Sequence, residues 1–522
     1  MRAHSTRRGA RRCLTVAMAA ITVVVAGCTA AQATPAPPAT PTQPIVCDDG
    51  PNAHTPMPAD CVIPTDPARA PTPLPTFPYG TVEPYSPGPT QPANLTTLPP
   101  IVQFHGKTIY TPPTGTAGQL IAIGPDDTLY VLLERPLPVS KPAPSSAFMV
   151  PDVQASVIAL RPDGSPLPGW PSAGVPISGF PMSYKVNKDG TVFVASGANP
   201  FGADTKAQTQ LIVTAIGSDG KLVSGWPYRA PAAMELYDPE LLVPGPDGTV
   251  CFLGYKPGSE KQGSDAQMVA YLVGRDGKLL PGWPYSSTSQ LWAPAVGPDG
   301  TVYLAEKTSN NTTASIGTYP YQVLAIGGDG TRKTSWTPWV RADEGITTML
   351  PTKDGRVYVL LGGDSGQARL IVVDSTGKSL SERIESPYGR PNYKDAVLTA
   401  DGTLVLSTGD GSDPYPNLVN VYAADGSQVT GWPQPIGGWG DVAVAPDGSV
   451  WVEWTVYGPS GGTDTSVVAL FDKSGKLQPG YPMAADALRH FGTSYGLEVA
   501  SDGTAYGTAA TTLGYRIVAF GR

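Results

Sequence analysis

The sequence is poor in charged residues and lacks the pattern of an amphipathic helix. Only 15% of its 522 residues are Asp, Glu, Lys or Arg, and only four are His. No long stretch repeats its apolar residues every 3.6 positions, so we expect almost no helix. Glycine (60) and proline (58) are abundant instead, which favours short strands joined by tight turns.

Positive charge is scarce outside the N-terminus. The formal net charge is −8, but residues 1–27 contain five Arg and no acidic residue. Without those five, 30 basic residues stand against 43 acidic ones, a net charge of −13. An acidic chain is a poor candidate for binding nucleic acid or an anionic lipid surface, so we expect no nucleic-acid partner.

The N-terminus has the pattern of an export signal. A basic segment (Arg2 to Arg12) precedes an apolar one (Leu14 to Ala26) that is too short to span a bilayer comfortably. The following Val25-Ala26-Gly27-Cys28 resembles the bacterial lipobox, which implies that 1–27 is a lipoprotein signal peptide and that Cys28 carries the lipid. Such an anchor would hold the protein on the outer side of the cytoplasmic membrane. An ordinary signal peptide with a chance Cys is the alternative, and the export route, general or twin-arginine, stays open.

Residues 28–100 are rich in Pro, Thr and Ala, and we interpret them as a stalk. Such a composition cannot bury enough apolar surface to fold, and proline favours the extended polyproline II conformation. Cys47 and Cys61 lie within this segment, and in an oxidising exterior they would form a disulfide; two free thiols are the alternative. Cys251 lies in an apolar strand and is expected to be a core residue.

Two hairpin patterns alternate along residues 101–522. AVGPDGTVYLAE (295–306) is the best copy of the first, and VAYLVGRDGKLLPGWP (269–284) represents the second. Asp-Gly between apolar segments is a strong hairpin signal, because glycine adopts the positive φ of the turn. The first pattern has eight turns, at Asp127, Gly190, Gly248, Gly300, Gly355, Gly402, Gly448 and Gly503. The second has seven, at Gly164, Gly220, Gly277, Gly330, Gly377, Gly426 and Gly475.

Two hairpins make one four-stranded antiparallel blade, so the repeat predicts an all-β, single eight-bladed β-propeller. The last repeat lacks its outer strand, and Phe104 to Tyr110 resemble the missing one, so we expect residues near 105–112 to complete the eighth blade. We therefore expect the two ends of the chain to pair and close the ring, which removes free sheet edges. A seven-bladed ring with an irregular tail is the alternative.

One large aromatic side chain per repeat indicates packing between blades. GWP recurs at Trp170, Trp226, Trp283 and Trp432, with Trp336 and Tyr481 as variants, and we place these rings at the end of the outer strand.

The pairing of a DGTVY-type hairpin with a DG…W-type hairpin resembles the quinoprotein-like (PQQ-like) repeats. That family includes enzymes and non-catalytic envelope lipoproteins with eight blades. The enzymes' vicinal disulfide has no counterpart here, so the resemblance implies no quinone and we expect no cofactor.

The connections between hairpins are long and lie opposite the short turns. Function tends to reside in long loops on a rigid scaffold, and mixed aromatic and acidic side chains suit sugar or peptide recognition. We expect the between-blade loops to begin near the inner strands and to rim the central channel; ordinary solvated loops are the alternative. The candidate rim residues are Tyr228, Arg229, Glu235, Tyr237, Asp238, Trp292, Tyr388, Arg390, Tyr393, Asp395, Trp439, Asp441 and His490.

Catalytic and metal motifs are weak. Ser365 in GDSG and Ser460 in GPSGG match nucleophile signatures, but neither has the surrounding pattern that such a nucleophile needs. Asp410 and Asp413 could contact Ca²⁺ but lack the remaining ligands of a loop site, so we expect no metal. A converging carboxylate pair remains open.

The sequence therefore predicts a monomeric, envelope-anchored lipoprotein that does not catalyse a reaction. Its propeller would bind a protein or glycan through the long-loop face. The alternatives are a polysaccharide-acting hydrolase or lyase on the same fold, and an envelope assembly scaffold.

Overall fold

A computed structural model describes the chain in segments, all of which lie in one compact unit, 69–522. These are residues 102–104, 107–137, 153–197, 211–231, 235–236, 242–255, 268–287, 289–307, 321–336, 344–363, 368–386, 396–408, 417–438, 440–456, 465–485, 497–511 and 514–521.

The described segments form an eight-bladed β-propeller, as the repeat predicts. Eight sheets follow one another along the chain, and each is built around four antiparallel strands. In these segments the one helical element is a single 3₁₀ turn, Pro246–Gly248. The seven-bladed alternative is therefore wrong.

The first four blades use the strands from β3 onward. Blade 1 contains β3 (Ala117–Ile123), β4 (Leu129–Pro136), β5 (Val153–Leu160) and β6 (Val175–Ile177). Blade 2 contains β7 (Phe180–Val186), β8 (Val192–Gly197), β9 (Ile212–Ile216) and β10 (Tyr228–Arg229). Blade 3 contains β11 (Glu235–Leu236), β12 (Val243–Pro244), β13 (Val250–Tyr255), β14 (Met268–Val273) and β15 (Tyr285–Ser286). Blade 4 contains β16 (Leu291–Val296), β17 (Val302–Lys307), β18 (Tyr321–Ile326) and β19 (Arg332–Trp336).

The remaining blades include both ends of the propeller. Blade 5 contains β20 (Glu344–Pro351), β21 (Val357–Gly363), β22 (Ala368–Val373) and β23 (Ser379–Ser386). Blade 6 contains β24 (Ala396–Leu398), β25 (Leu404–Thr408), β26 (Asn417–Tyr422) and β27 (Gln434–Ile436). Blade 7 contains β28 (Gly440–Val444), β29 (Val450–Val456), β30 (Thr465–Phe471), β31 (Met483–Ala485) and β1 (Val102–Phe104). Blade 8 contains β32 (Glu498–Val499), β33 (Ala505–Thr511), β34 (Gly514–Phe520) and β2 (Lys107–Tyr110).

The ring closes through its two ends. β2 completes blade 8 by pairing antiparallel with β34, which confirms the expectation for residues near 105–112. A second contact joins blades 8 and 1, where the Asp127 carboxylate accepts hydrogen bonds from the backbone N–H (2.6 Å) and the hydroxyl of Ser501. Phe104 departs from the expectation: it belongs to β1, which adds a parallel fifth strand to blade 7 beside β31.

The core lies between blades rather than at one centre. In β8, β9 and β14 every side chain is buried, because a middle strand packs against neighbouring blades with both faces. One apolar cluster, for example, joins Leu132 and Val157 of blade 1 to Val194 of blade 2. Cys251 is fully buried in the cluster between blades 3 and 4 and makes no disulfide, which confirms its core position.

Candidate functional site

The chain direction gives the propeller two unlike faces. In every blade a short turn joins the first strand to the second, and in blades 1 to 7 another follows the third strand. Since the strands are antiparallel, both turns lie on one face, called here the turn face. The described strand ends that the other connections join lie on the opposite face, called here the long-loop face, as expected.

The turns satisfy their own polar groups. In the turn at Gly164, the Arg161 N–H donates to the Ser165 carbonyl and the Gly164 N–H donates to the Arg161 carbonyl, each at 2.8 Å. Gly164 has a φ of 84°, which explains the glycine at this place in the repeat. The Asp163 carboxylate accepts the Ser165 hydroxyl (2.6 Å) and N–H (2.9 Å), and these bonds lower the pKa of Asp163. Little unused hydrogen-bonding capacity remains in such a turn.

The recurring Trp residues latch neighbouring blades together. The indole N–H of Trp170 donates to the Ser218 carbonyl (2.8 Å) in the turn of the next blade, and that of Trp226 donates to the Arg275 carbonyl (2.9 Å). Trp283, Trp432 and the Tyr481 hydroxyl reach Gly328, Lys473 and Gly521 in the same way. Each ring is buried. These five rings precede the outer strand instead of ending it, which corrects our placement, whereas Trp336 ends β19 as expected. The contacts of the five rings are those of a scaffold.

Two predicted rim residues lie away from the channel. Tyr228 and Arg229 form β10, the outer strand of blade 2, whereas β7 at the opposite edge contacts the inner strand β3 of blade 1. The Tyr228 ring packs on Phe252 and Tyr271, with ring centroids 5.9 and 6.1 Å away. The expectation that between-blade loops begin near the inner strands is therefore wrong, because each such loop leaves an outer strand and ends at the next inner one.

Three predicted rim residues lie on inner edges. Glu235 belongs to β11, which pairs with the loop-face end of β13. Trp292 lies in β16 and packs, partly buried, against the cluster between blades 4 and 5. Asp441 lies in β28. The other candidates fall outside the described residues: Tyr237, Asp238, Tyr388, Arg390, Tyr393, Asp395, Trp439 and His490.

Asp441 faces a second carboxylate that sequence analysis did not single out. It pairs directly with Glu453 of β29, and directly paired residues place their side chains on one face with Cβ atoms about 4.5–5.5 Å apart. Glu453 is 1% exposed, whereas Asp441 is only partly buried. The two carboxylates thus lie side by side, with one of them inside the contact between blades.

Two charged residues lie near the turn-face ends of inner strands. Glu498 of β32 and Lys185 of β7 occupy inner strands on either side of blade 1. Burial raises the pKa of Glu498 to about 7, while the Lys185 charge opposes that rise. Between β3 and β7 the Gln119 amide donates a hydrogen bond to the Tyr184 hydroxyl. Sequence analysis missed these residues, since a charge within a strand has no motif.

The remaining predicted sites lie outside the described residues. These are the lipid site Cys28, the cysteines Cys47 and Cys61, the weak calcium candidates Asp410 and Asp413, and the nucleophile-like Ser365 and Ser460. Within the described segments, three or more His, Cys, Asp or Glu side chains nowhere converge as a metal site would require. None of the helical structure in those segments is long and apolar enough to cross a membrane.

Comparison with known proteins gives similarity of fold only. No family model matches the chain, and no curated protein matches it. A solved streptogramin B lyase is 13% identical with a TM-score of 0.34, covering 62% of this chain and 94% of that one. Virginiamycin B lyase from Staphylococcus aureus is 13% identical with a TM-score of 0.38, covering 66% and 95%. Prolyl oligopeptidase B from Galerina marginata, bound to a 25mer macrocyclization substrate, is 14% identical with a TM-score of 0.40. The match covers 75% of this chain but only 55% of the oligopeptidase. TM-scores this low carry no argument about function.

Proposed function

We propose that the protein is an exported lipoprotein whose propeller binds a protein or glycan partner through its long-loop face. Lipidated Cys28 would anchor it to the outer side of the cytoplasmic membrane, and residues 28–100 would act as a spacer. This proposal follows the resemblance of the sequence to non-catalytic envelope lipoproteins with PQQ-like repeats.

The observation that carries the proposal is the direction of the first two strands. β1 runs parallel to the outer strand β31, which leads from the turn face to the long-loop face. β2 runs antiparallel to β34 and so takes the same direction. The first described strands therefore both run from the turn face towards the long-loop face. The long-loop face is the face opposite this point of entry, and we propose that the partner binds there.

The hydrogen bonding of the two faces supports the same choice. The turns bind their own backbone groups and their own Asp side chains, as at Asp329, whose carboxylate accepts the Thr331 N–H at 2.9 Å. That bond holds the pKa of Asp329 below its usual value. On the opposite face, inner-edge residues such as Asp441 border the long connections, which are free to vary without disturbing a blade.

Site-specific photocrosslinking in intact cells tests which face binds. A photoreactive amino acid replaces Asp441 near the long-loop face in one strain and the exposed Lys278 of a turn in the other. We expect adducts to protein or cell-wall glycan from position 441 only. Adducts from position 278 alone, or equal labelling from both, would contradict the proposal. A membrane assembly complex in the adducts would favour the scaffold alternative.

Membrane attachment has a separate test. Cys28→Ser should abolish incorporation of an alkyne-tagged fatty acid and move the protein from the membrane fraction to the soluble exterior. Cys251→Ser is the matched control, since its thiol is fully buried in the core, and it should stay in the membrane fraction. Lipid incorporation that survives Cys28→Ser would contradict the assignment.

A polysaccharide-acting enzyme is the second candidate, and the pairing of Asp441 with Glu453 is the observation that favours it. Retaining glycosidases hold two carboxyl groups about 5–5.5 Å apart. Glu453 is 1% exposed, however, so a sugar could not reach it without separating blades 7 and 8. Release of reducing ends from cell-wall polysaccharide that disappears in Asp441→Asn would establish this function instead.

A further inference from the structure

The contact between blades 5 and 6 is, among the described residues, the least close in the ring. In every other pair of neighbouring blades, the Cα atoms of one strand lie within 8 Å of those of a strand in the next blade along a stretch of both, as in β16 and β20 of blades 4 and 5. Between the described strands of blades 5 and 6 no such stretch occurs. The two blades therefore meet through side chains that cross a wider gap between their backbones.

The aromatic latch is missing from the sequence of blade 5. In the blades with a latch, the aromatic residue stands six positions after the glycine of the second turn, as Trp226 does after Gly220. Arg383 stands at that place in blade 5. The equivalent acceptor in blade 6 is the Ala424 carbonyl, and within the described residues it accepts one side-chain hydrogen bond, from the Tyr358 hydroxyl at 3.5 Å. That distance is long for a hydroxyl donor, whereas the four Trp latches measure 2.8–3.3 Å.

A buried amide lies inside this contact. Asn420 is 3% exposed and stands on the same face of β26 as Tyr422, which packs in the apolar cluster between blades 5 and 6. The Asn420 amide donates to the Thr408 hydroxyl (3.5 Å) and accepts from the Gln428 amide (3.2 Å), and all three residues belong to blade 6. In blade 4 the equivalent residue is Leu324, which packs in the cluster between blades 3 and 4. Asn420 thus replaces an apolar contact with hydrogen bonds that do not reach blade 5.

We propose that the ring opens reversibly between blades 5 and 6 while the contacts between the other blades stay closed. Three weaknesses coincide at this place: a wider backbone gap, a missing latch, and a buried amide whose hydrogen bonds stay within one blade. Proteins open locally where few contacts hold neighbouring units, at a lower free energy than that of global unfolding. Such an opening gives the central channel an entrance through the side of the propeller, apart from the partner surface proposed on the long-loop face.

Thiol labelling of the full chain in detergent measures the opening of individual contacts. Cys251 already lies in the contact between blades 3 and 4, where burial raises the pKa of its thiol to about 12, so it reacts only when that contact opens. Leu360→Cys and Leu253→Cys place a thiol at equivalent buried positions, the first between blades 5 and 6 and the second between blades 3 and 4. Labelling with a maleimide, without denaturant, is then quantified for each peptide by mass spectrometry.

The labelling rates decide between local opening and global unfolding. We expect the thiol at position 360 to react at least about tenfold faster than the thiol at position 253 and than Cys251. Equal rates would overturn the proposal, because they would mean that both contacts open only when the whole protein unfolds. A faster reaction at position 253 would overturn it as well. A second substitution in the Leu360→Cys protein distinguishes opening of the contact from damage by the Leu→Cys change itself.

Asn420→Leu and Arg383→Trp are designed to close the contact. The first introduces the apolar residue that blade 4 has at the equivalent position, and the second introduces the latch residue of the other blades. Each should slow labelling at position 360 at least about threefold, because each adds one buried apolar or hydrogen-bonded contact, and should leave Cys251 unchanged. If neither variant slows the reaction, the thiol at position 360 reports local damage and the proposal fails.

Trp283→Phe is the matched change at the contact between blades 3 and 4. It keeps a ring but removes the N–H that donates to the Gly328 carbonyl at 3.1 Å. Labelling of Cys251 should rise in this variant, while the rate at position 360 should stay the same. Unchanged labelling of Cys251 would contradict the proposal, because a latch that does not hold its contact closed could not leave blades 5 and 6 open by its absence.

Discussion

Replacing Glu498 by glutamine should stabilise the protein above neutral pH. Burial raises the pKa of this carboxyl from 4.5 to about 7. The folded state therefore keeps a proton that the unfolded chain has already released between these pH values. Unfolding free energy falls as pH rises through that window, because the unfolded state binds fewer protons there.

The size of the gain in unfolding free energy follows from the difference between the folded and unfolded pKa values of Glu498. A difference of 2.5 between the two pKa values corresponds to about 3 kcal/mol, at about 1.4 kcal/mol per unit. Glutamine has the same shape and no charge. Glu498→Gln should therefore match the parent at pH 4 and exceed its unfolding free energy by up to about 3 kcal/mol at pH 8.

Urea unfolding at several pH values between 4 and 8 measures this difference. Lys185→Met provides a second, opposite perturbation, because removing the ammonium should push the pKa of Glu498 higher and steepen the loss of stability. Parallel pH profiles for the parent and Glu498→Gln would refute the reasoning. They would mean that the carboxyl is as well solvated in the channel as in the unfolded chain.

Three further predictions concern the scaffold. Gly225→Ala and Gly169→Ala both place a side chain at a φ near 90°, but the new Cβ would meet the Asp276 carbonyl oxygen at 1.9 Å in the first and nothing within 4 Å in the second. Gly225→Ala should thus lower the free energy of unfolding in urea by about 1–3 kcal/mol more than Gly169→Ala does, because overpacking adds to the shared backbone strain. Equal losses would exclude the close approach. Asp354→Ala should destabilise at pH 7, where hydrogen bonds from Arg356 and Thr352 lower the pKa of the carboxyl to about 2, and this deficit should vanish as the pH falls from about 4 to 2. Asp127→Ala removes the contact with Ser501, so hydrogen exchange measured by mass spectrometry should rise first in blades 8 and 1, and an even rise around the ring would contradict its closing role.

The fold was predictable because the repeat is dense in local signals. Asp-Gly turns at known intervals, such as Gly164 and Gly220, specify hairpins through the conformation of glycine alone. The incomplete last repeat even indicated which end of the chain completes it. The parallel strand β1 was not predictable, since three residues after a Pro-rich segment have no pattern of their own.

The candidate site was less predictable because a sequence shows which residues are near a loop but not which edge of a blade the loop touches. Tyr228 and Asp441 were both assigned to the rim, yet one belongs to an outer strand and the other to an inner strand. Whether a loop residue lies at the periphery or at the inner edge depends on whether it follows an outer strand or precedes an inner one. A loop between blades starts at the periphery, directly after an outer strand, and comes to the inner edge only where it meets the next inner strand.

The same geometry makes symmetry a way to find function in this propeller. Equivalent positions in eight blades experience the same packing, so a scaffold should place similar residues there, as the turn glycines and the Trp latches do. A departure from the shared residue type costs stability without serving the scaffold, and Glu498 is such a departure: burial opposes its charge, and no described residue offers it a hydrogen bond. Lys185 occupies the equivalent position in blade 2 and also replaces an apolar residue, but with a positive charge. These two departures are not required by the scaffold, because apolar residues at the six equivalent positions already satisfy its packing.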